Sequence, residues 1–233
     1  MHNFIPEALA HKIVSFCIEH KLRFVFISGN GGAGKTELSK LIRSETQKYG
    51  PCNTIDMDEF VVDTKLRNSA SLSWIDVDNG LERSGKYSTT FAASYFLQNI
   101  KAILCNLERG NNYWHWPKRA KSSKESILEY KADALITIVE GIGSVFIEKD
   151  NSKTLSIFMQ CDGEIEINRR IKRAKYSNEQ DPNEVRRLYE ERNSQFKANI
   201  LPYADEHNLI LQSRDDFSLD VIKDELGVLC NIS

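Results

Sequence analysis

Eight consecutive residues, Gly29, Asn30, Gly31, Gly32, Ala33, Gly34, Lys35 and Thr36, follow the spacing GxxxxGK[ST], and Glu37 comes next. Glycines so placed let a loop curl until successive backbone N–H groups point inward at one anion. A lysine straight after the last glycine can reach the β- and γ-phosphates of a nucleoside triphosphate, and the Thr36 hydroxyl can ligate Mg²⁺. Between a strand and a helix the loop gains the positive N-terminal end of that helix. The pattern points to a triphosphate with Mg²⁺ and leaves the reaction open. The chain holds no guanine-reading NKxD motif.

Two short apolar runs end in acid, Asp56-Met57-Asp58-Glu59-Phe60 and Val139-Glu140-Gly141. Ligands of open α/β sheets lie beyond the C-terminal ends of the strands, so carboxylates there face the phosphates. Asp58 suits a base that takes a hydroxyl proton and aims the oxygen for in-line attack. Thr36, Asp58 and Glu140 form the expected Mg²⁺ set. The alternative for each acid is a solvated strand end. Further on, Arg169-Arg170-Ile-Lys172-Arg173 carries cations one turn apart on an expected helix, and Arg170 and Arg173 can clamp phosphate oxygens. Arg187 and Arg192 read instead as members of an exposed helix laced with Arg–Glu pairs. The cluster Tyr113-Trp-His115-Trp116, with Arg119 beyond it, could stack a flat ring and hold an anionic or carbonyl group, or fold down as a hydrophobic flap.

These residues need a frame. Residues 23–28, 134–139, 154–159 and 209–211 are short, nearly continuous apolar runs, the form of strands buried on both faces, and 53–58 offers another. Helical spacing predicts helices over 5–20, from 35 to about 50, and over 87–109 with Gly110 closing it. It also predicts one over 162–173, one opened by Asp181 and Pro182, and a closing helix over 219–229. Strand and helix alternate, which implies an α/β fold with a parallel sheet covered by helices on both faces.

At 233 residues the chain fits one domain, with a flap over about 60–120 and a lid over about 165–200. Lys plus Arg number 31 against 33 Asp plus Glu, a formal net charge of -2, so bulk electrostatics favours neither a nucleic-acid nor a membrane partner. The five cysteines are scattered and never form CxxC, the usage of reduced thiols in a cytoplasmic protein. The first residues lack the apolar run of a signal peptide, and no stretch approaches the roughly 20 apolar residues that span a bilayer.

From about Phe24 to about Leu211 the chain resembles the uridine kinase and phosphoribulokinase family, and is also similar to bacterial pantothenate kinases. Met57-Asp58-Glu59-Phe60 looks like the family segment M-D-D-F-Y, with Val61 in place of the tyrosine. The stretch from Trp74 through Asp76 to Glu82 resembles F-D-H-P-x-A-F-D, and Tyr113 to Arg119 stands where the family has Y-D-F-x-x-H-x-R. Arg170 and Arg173 match the lid opening R-R-x-x-R-D.

The resemblance implies a three-layer P-loop fold with a helical lid and transfer of the γ-phosphate of ATP to a hydroxyl of a small molecule, a nucleoside above all. It implies that Lys35, Asp58, Arg170 and Arg173 serve catalysis. Asp58, Phe60, Asp76, Tyr113, His115 and Arg119 would meet the acceptor. A non-nucleoside acceptor, such as a pantothenate-like acid, a sugar or an antibiotic, stays open, as do a nucleotide-dependent switch and a homo-oligomer.

Overall fold

The computed structural model describes residues 3–116, 127–177 and 181–229. A short strand β1 (Asn3–Phe4) leads into helix α1 (Pro6–Glu19), strand β2 (Phe24–Gly29), helix α2 (Lys35–Thr46) and strand β3 (Cys52–Asp56). Helix α3 (Thr64–Ser69) precedes a hairpin of β4 (Ser71–Ile75) and β5 (Glu82–Lys86). Helix α4 (Leu97–Glu108) is followed by a second small hairpin, β6 (Tyr113–His115) with β7 (Leu128–Tyr130). Strands β8 (Ile136–Glu140) and β9 (Thr154–Cys161), helices α5 (Gly163–Ser177) and α6 (Pro182–Asn199), and strands β10 (Leu209–Ser213) and β11 (Leu219–Asp224) complete the chain. Among the described residues no helix is long and apolar enough to cross a membrane.

Seven strands form one sheet in the order β1-β11-β10-β9-β2-β8-β3, parallel from β10 to β3 and antiparallel at the β11 and β1 edge. Every residue of β2 and β8 is buried, as their unbroken apolar runs require. The pleat divides β2 between two layers. Val25 and Ile27 pack with Leu9 and Ile13 of α1 and Leu38 and Ile42 of α2. Phe24 and Phe26 pack with Ile100, Ile103 and Leu107 of α4, spaced for one helical face. Phe158 and Ile210 meet Phe196 of α6 and Ile200 on that second face.

Three expectations are corrected. The helix predicted over 87–109 begins only at Leu97, because hydroxyls upstream compete for the backbone. Ser88 Oγ accepts from the Thr90 amide at 3.2 Å, Tyr95 donates to the Thr89 carbonyl at 2.7 Å, and Ser94 donates to the Ser88 carbonyl. The predicted closing helix over 219–229 is instead strand β11, since a tight turn through Phe217 folds Leu219 back beside Ser213, and alternation buries Leu219. Asp58, expected at a strand end, lies one step further in a 3₁₀ turn, Met57–Phe60, capped by Asp56 Oδ1, which accepts from the Asp58 amide at 2.9 Å. The two hairpins went unpredicted; β5 holds no run of apolar residues.

His207 closes the second face at 0% exposure, its ring 5.3 Å from that of Phe158. Nδ1 donates to the Tyr203 carbonyl at 2.7 Å, while Nε2 has no partner among the described residues. A proton on Nε2 would be a buried, unpaired charge; burial first, then Lys149, push the ring's pKa down to about 4. The unfolded chain takes that proton near pH 6.5, so the stability held by the neutral ring is complete above pH 6.5 and lost as pH falls toward 4. About 3 kcal/mol is at stake over that window. Urea unfolding at pH 7 and pH 4.5 should show this loss in the parent chain and a much flatter dependence in His207→Phe.

Candidate functional site

The phosphate-type loop is built where β2 leaves the sheet. β2 is hydrogen-bonded to β8 on one side and β9 on the other, so its end is held in place. At Gly29 (φ +128°) a Cβ would stand 1.7 Å from the Met159 carbonyl oxygen of β9, and only glycine lets the strands run so close. Gly34 (φ +91°) makes the left-handed turn that starts α2 with Lys35. Lys35 is 9% exposed and its Nζ donates to the carbonyls of Gly29 at 3.0 Å and Asn30 at 2.7 Å. Burial holds its pKa below the usual lysine value despite the attraction of Glu140.

Beside the loop, register places Glu140 of β8 next to Asp56 of β3 and Ile27 of β2. Thr36 Oγ1 donates to Glu140 Oε1 at 3.1 Å. Burial first, and then the Asp56 charge, raise the Glu140 pKa, with Lys35 and Thr36 opposing. Two close carboxylates and a hydroxyl beside an anion cradle suit a hard cation. Among the described residues no three His, Cys, Asp or Glu side chains form a metal cage. Mg²⁺ is commonly held by one or two carboxylates with phosphate oxygens and water. Thr36 and Glu140, with Asp56 behind, would hold it.

These groups line a cleft of about 590 Å³ at the C-terminal edge of the sheet. The structure gathers there Gly31, Gly32, Gly34, Lys35, Thr36, Glu37, Asp58, Glu140, Arg170 and Arg173 from the sequence-based set. Gly29 and Ala33 shape the loop from behind, Ala33 at 0% exposure in the core. The Asn30 side chain is spent on the frame: Oδ1 accepts from the Cys161 amide at 3.1 Å, and Nδ2 donates to Glu166 Oε2 at 2.8 Å.

Four expected acceptor residues stand elsewhere. Phe60 is buried and stacks on His115 with ring centroids 4.6 Å apart, and Tyr113 packs against the same core, while Trp114 and Trp116 are exposed. Asp76 is buried in the β4–β5 turn, where it pairs with Arg83 and accepts from the Asp78 amide at 3.0 Å. It follows that Asp76 stabilises a hairpin. Arg119 lies outside the described residues.

Other residues reach the site without having been predicted. Glu166 accepts from Arg170 Nε at 2.8 Å as well as from Asn30, an i, i+4 pair whose spacing was readable. Arg169 donates to the Gly32 carbonyl at 2.7 Å and to Ser213 Oγ at 2.9 Å, and lies 4.1 Å over the Phe217 ring. Phe217, 54% exposed with φ +66°, presents an aromatic face on the cleft. Thr89 joins the lining from the segment whose helix failed to form.

The model of the Phosphoribulokinase / Uridine kinase family matches residues 24–219. Solved structures that share the fold include two kinases. A D-glycerate 3-kinase from Cryptococcus neoformans var. grubii superposes with a TM-score of 0.64 at 11% identity, over 93% of this chain and 97% of the other. The phosphoribulokinase from Rhodobacter spheroides gives 0.55 at 12% identity, over 83% of this chain and 70% of the other. No curated protein sequence matches the chain.

Because the buried Lys35 ammonium already bonds two loop carbonyls, Lys35→Met should remove charge-assisted bonds to a bound triphosphate. Titration calorimetry with a non-hydrolysable ATP analogue should show affinity lowered roughly 10- to 100-fold, the range for hydrogen bonds to charged groups. Unchanged affinity would place the triphosphate elsewhere.

Proposed function

The chain belongs to the phosphoribulokinase and uridine kinase family, and from that premise we propose that it transfers the γ-phosphate of ATP to a hydroxyl group of a small molecule. One observation carries the reading: the loop with Lys35, the Thr36–Glu140 pair and the exposed Asp58 carboxylate all open on one cleft.

The triphosphate nests against the loop amides and the N-terminal end of α2. Lys35 exchanges its two carbonyl partners for β- and γ-oxygens, which an anion rewards more than a neutral carbonyl does. Mg²⁺, when bound, neutralises charge across the β- and γ-phosphates. Asp58 accepts the proton of the acceptor hydroxyl and fixes the line of attack. Arg170 and Arg173 of α5 face the same space and balance charge on the transferring group, while α5 itself serves as a lid that keeps water out.

A non-nucleoside acceptor is favoured over the nucleoside that the family resemblance suggests. Phe60, Asp76, Tyr113 and His115, the residues expected to meet a nucleoside, do not line the cleft. We place the activity on a small molecule, since a near balance of charges offers little to nucleic acid or membrane, and in the cytoplasm on the scattered cysteines without CxxC.

ADP release measured against a panel of hydroxyl-bearing small molecules will find the acceptor class. With any acceptor that is turned over, Asp58→Asn should lower kcat at least about 100-fold while nucleotide binding persists. Full activity in that variant would remove Asp58 as the base, whereas nucleotide binding with no acceptor turned over would return the switch-like reading.

A further inference from the structure

A second, smaller cavity of about 80 Å³ opens off the cleft, sharing Thr89 and Arg170 with it. Its other polar walls are Ser88 and Thr90 on one side, Arg192 and Asn193 of α6 on the other, and the Glu166 carboxylate of α5. Both walls are anchored. The Ser88 and Thr90 hydroxyls bond to each other at 2.8 Å. Lys86, just before them, donates its amide to Glu191 Oε1 at 3.3 Å and accepts from Gln195 Nε2 at 3.1 Å.

The charges are unevenly matched. Glu166 neutralises Arg170, with N–O distances of 2.6 and 2.8 Å. Arg192, by contrast, makes no hydrogen bond or ion pair among the described residues, and neither the Thr89 hydroxyl nor the Asn193 amide has a side-chain partner there. Arg67 stands behind the same turn, donating to the carbonyls of Val62 and Tyr87 at 3.0 Å each. Arg170 and Arg67 stand close enough to repel the Arg192 guanidinium, with only Glu191 opposing them. A cavity that sets a guanidinium, a hydroxyl and an amide together without internal partners is matched by a compact group rich in acceptor oxygens.

We infer that this cavity binds the anionic end of the acceptor, a carboxylate or a phosphate, and so presents the acceptor's hydroxyl to Asp58 across the shared wall at Thr89. The acceptor is thus a hydroxy acid or a sugar phosphate rather than a nucleoside. This inference rests on the kinase reading for the word acceptor, but the binding of the anion can be measured without turnover.

Calorimetry on the full chain, with its nucleotide site saturated by a non-hydrolysable ATP analogue and Mg²⁺, should use four titrants: inorganic phosphate, short hydroxy acids, sugar monophosphates and uridine. At least one anionic titrant should bind, and Arg192→Gln should weaken it roughly 10- to 100-fold, with Arg192→Lys in between because it keeps charge but loses the fork. Which titrant responds separates carboxylate from phosphate. Binding of uridine with every anion silent, or anion binding indifferent to Arg192→Gln, overturns the inference. Asp58→Asn should leave this anion binding intact, so a failure of the base assignment and a failure of the anion site give different results.

Discussion

Everything at this site depends on how closely β2 and β9 approach. Their pairing runs to the last residue of β2, where Gly29 lies against the Met159 backbone and the Asn30 amide still donates to the Met159 carbonyl at 3.2 Å. With β8 bonded along the other edge, the chain leaves the sheet at a fixed point and in a fixed direction. The loop's backbone donors and Lys35 inherit that position, as does Glu140, which is one register step from β2 on the neighbouring strand. The phosphate side of the cleft is therefore a property of the sheet, and disturbing the sheet there would move every charged group at once.

A single carboxylate joins this rigid part to the helix above it. Glu166 takes one bond from Asn30 in the loop and others from Arg170 on its own helix, buried at 5% side-chain exposure. A buried ion pair is a poor source of net stability, yet removing one partner leaves an uncompensated charge. Its effect is on position. A Cβ at Gly31 would come 1.9 Å from the Arg170 guanidinium, so the arginine lies against the loop where phosphate oxygens must pass. Under the proposed function, arriving phosphates would compete with Glu166 for Arg170 and so couple occupancy of the loop to the placement of α5.

How much of this was legible in the sequence follows from how each part is encoded. Strands β2, β8, β9 and β10 are buried on both faces and so are written as unbroken apolar runs, and the glycine spacing of the loop is a backbone requirement that tolerates few substitutes. Glu140 followed from where its strand ends, and Asp58 lies in the turn beyond the end of β3. What failed were places where side chains override periodicity: hydroxyls at 88–94 that unwound an expected helix, and a turn at Phe217 that made a strand of Leu219–Asp224. Asp76 matched a motif position but was claimed by a hairpin turn that single-sequence reading could not see.

Arg192 shows the remaining limit. On its helix it is one of several exposed cations beside glutamates, and read along the chain it belongs to a solvated face. Its significance comes from Ser88 to Thr90 and Arg67, more than 100 residues away in sequence, which docking of the β5 end onto α6 brings opposite to it. Phosphate recognition by contrast is local, spanning Gly29 to Thr36 in one continuous segment. A site whose nucleotide half is one segment and whose other half is assembled from three distant ones can change the second without disturbing the first. Family resemblance accordingly reads the transferred group more securely than the molecule that receives it.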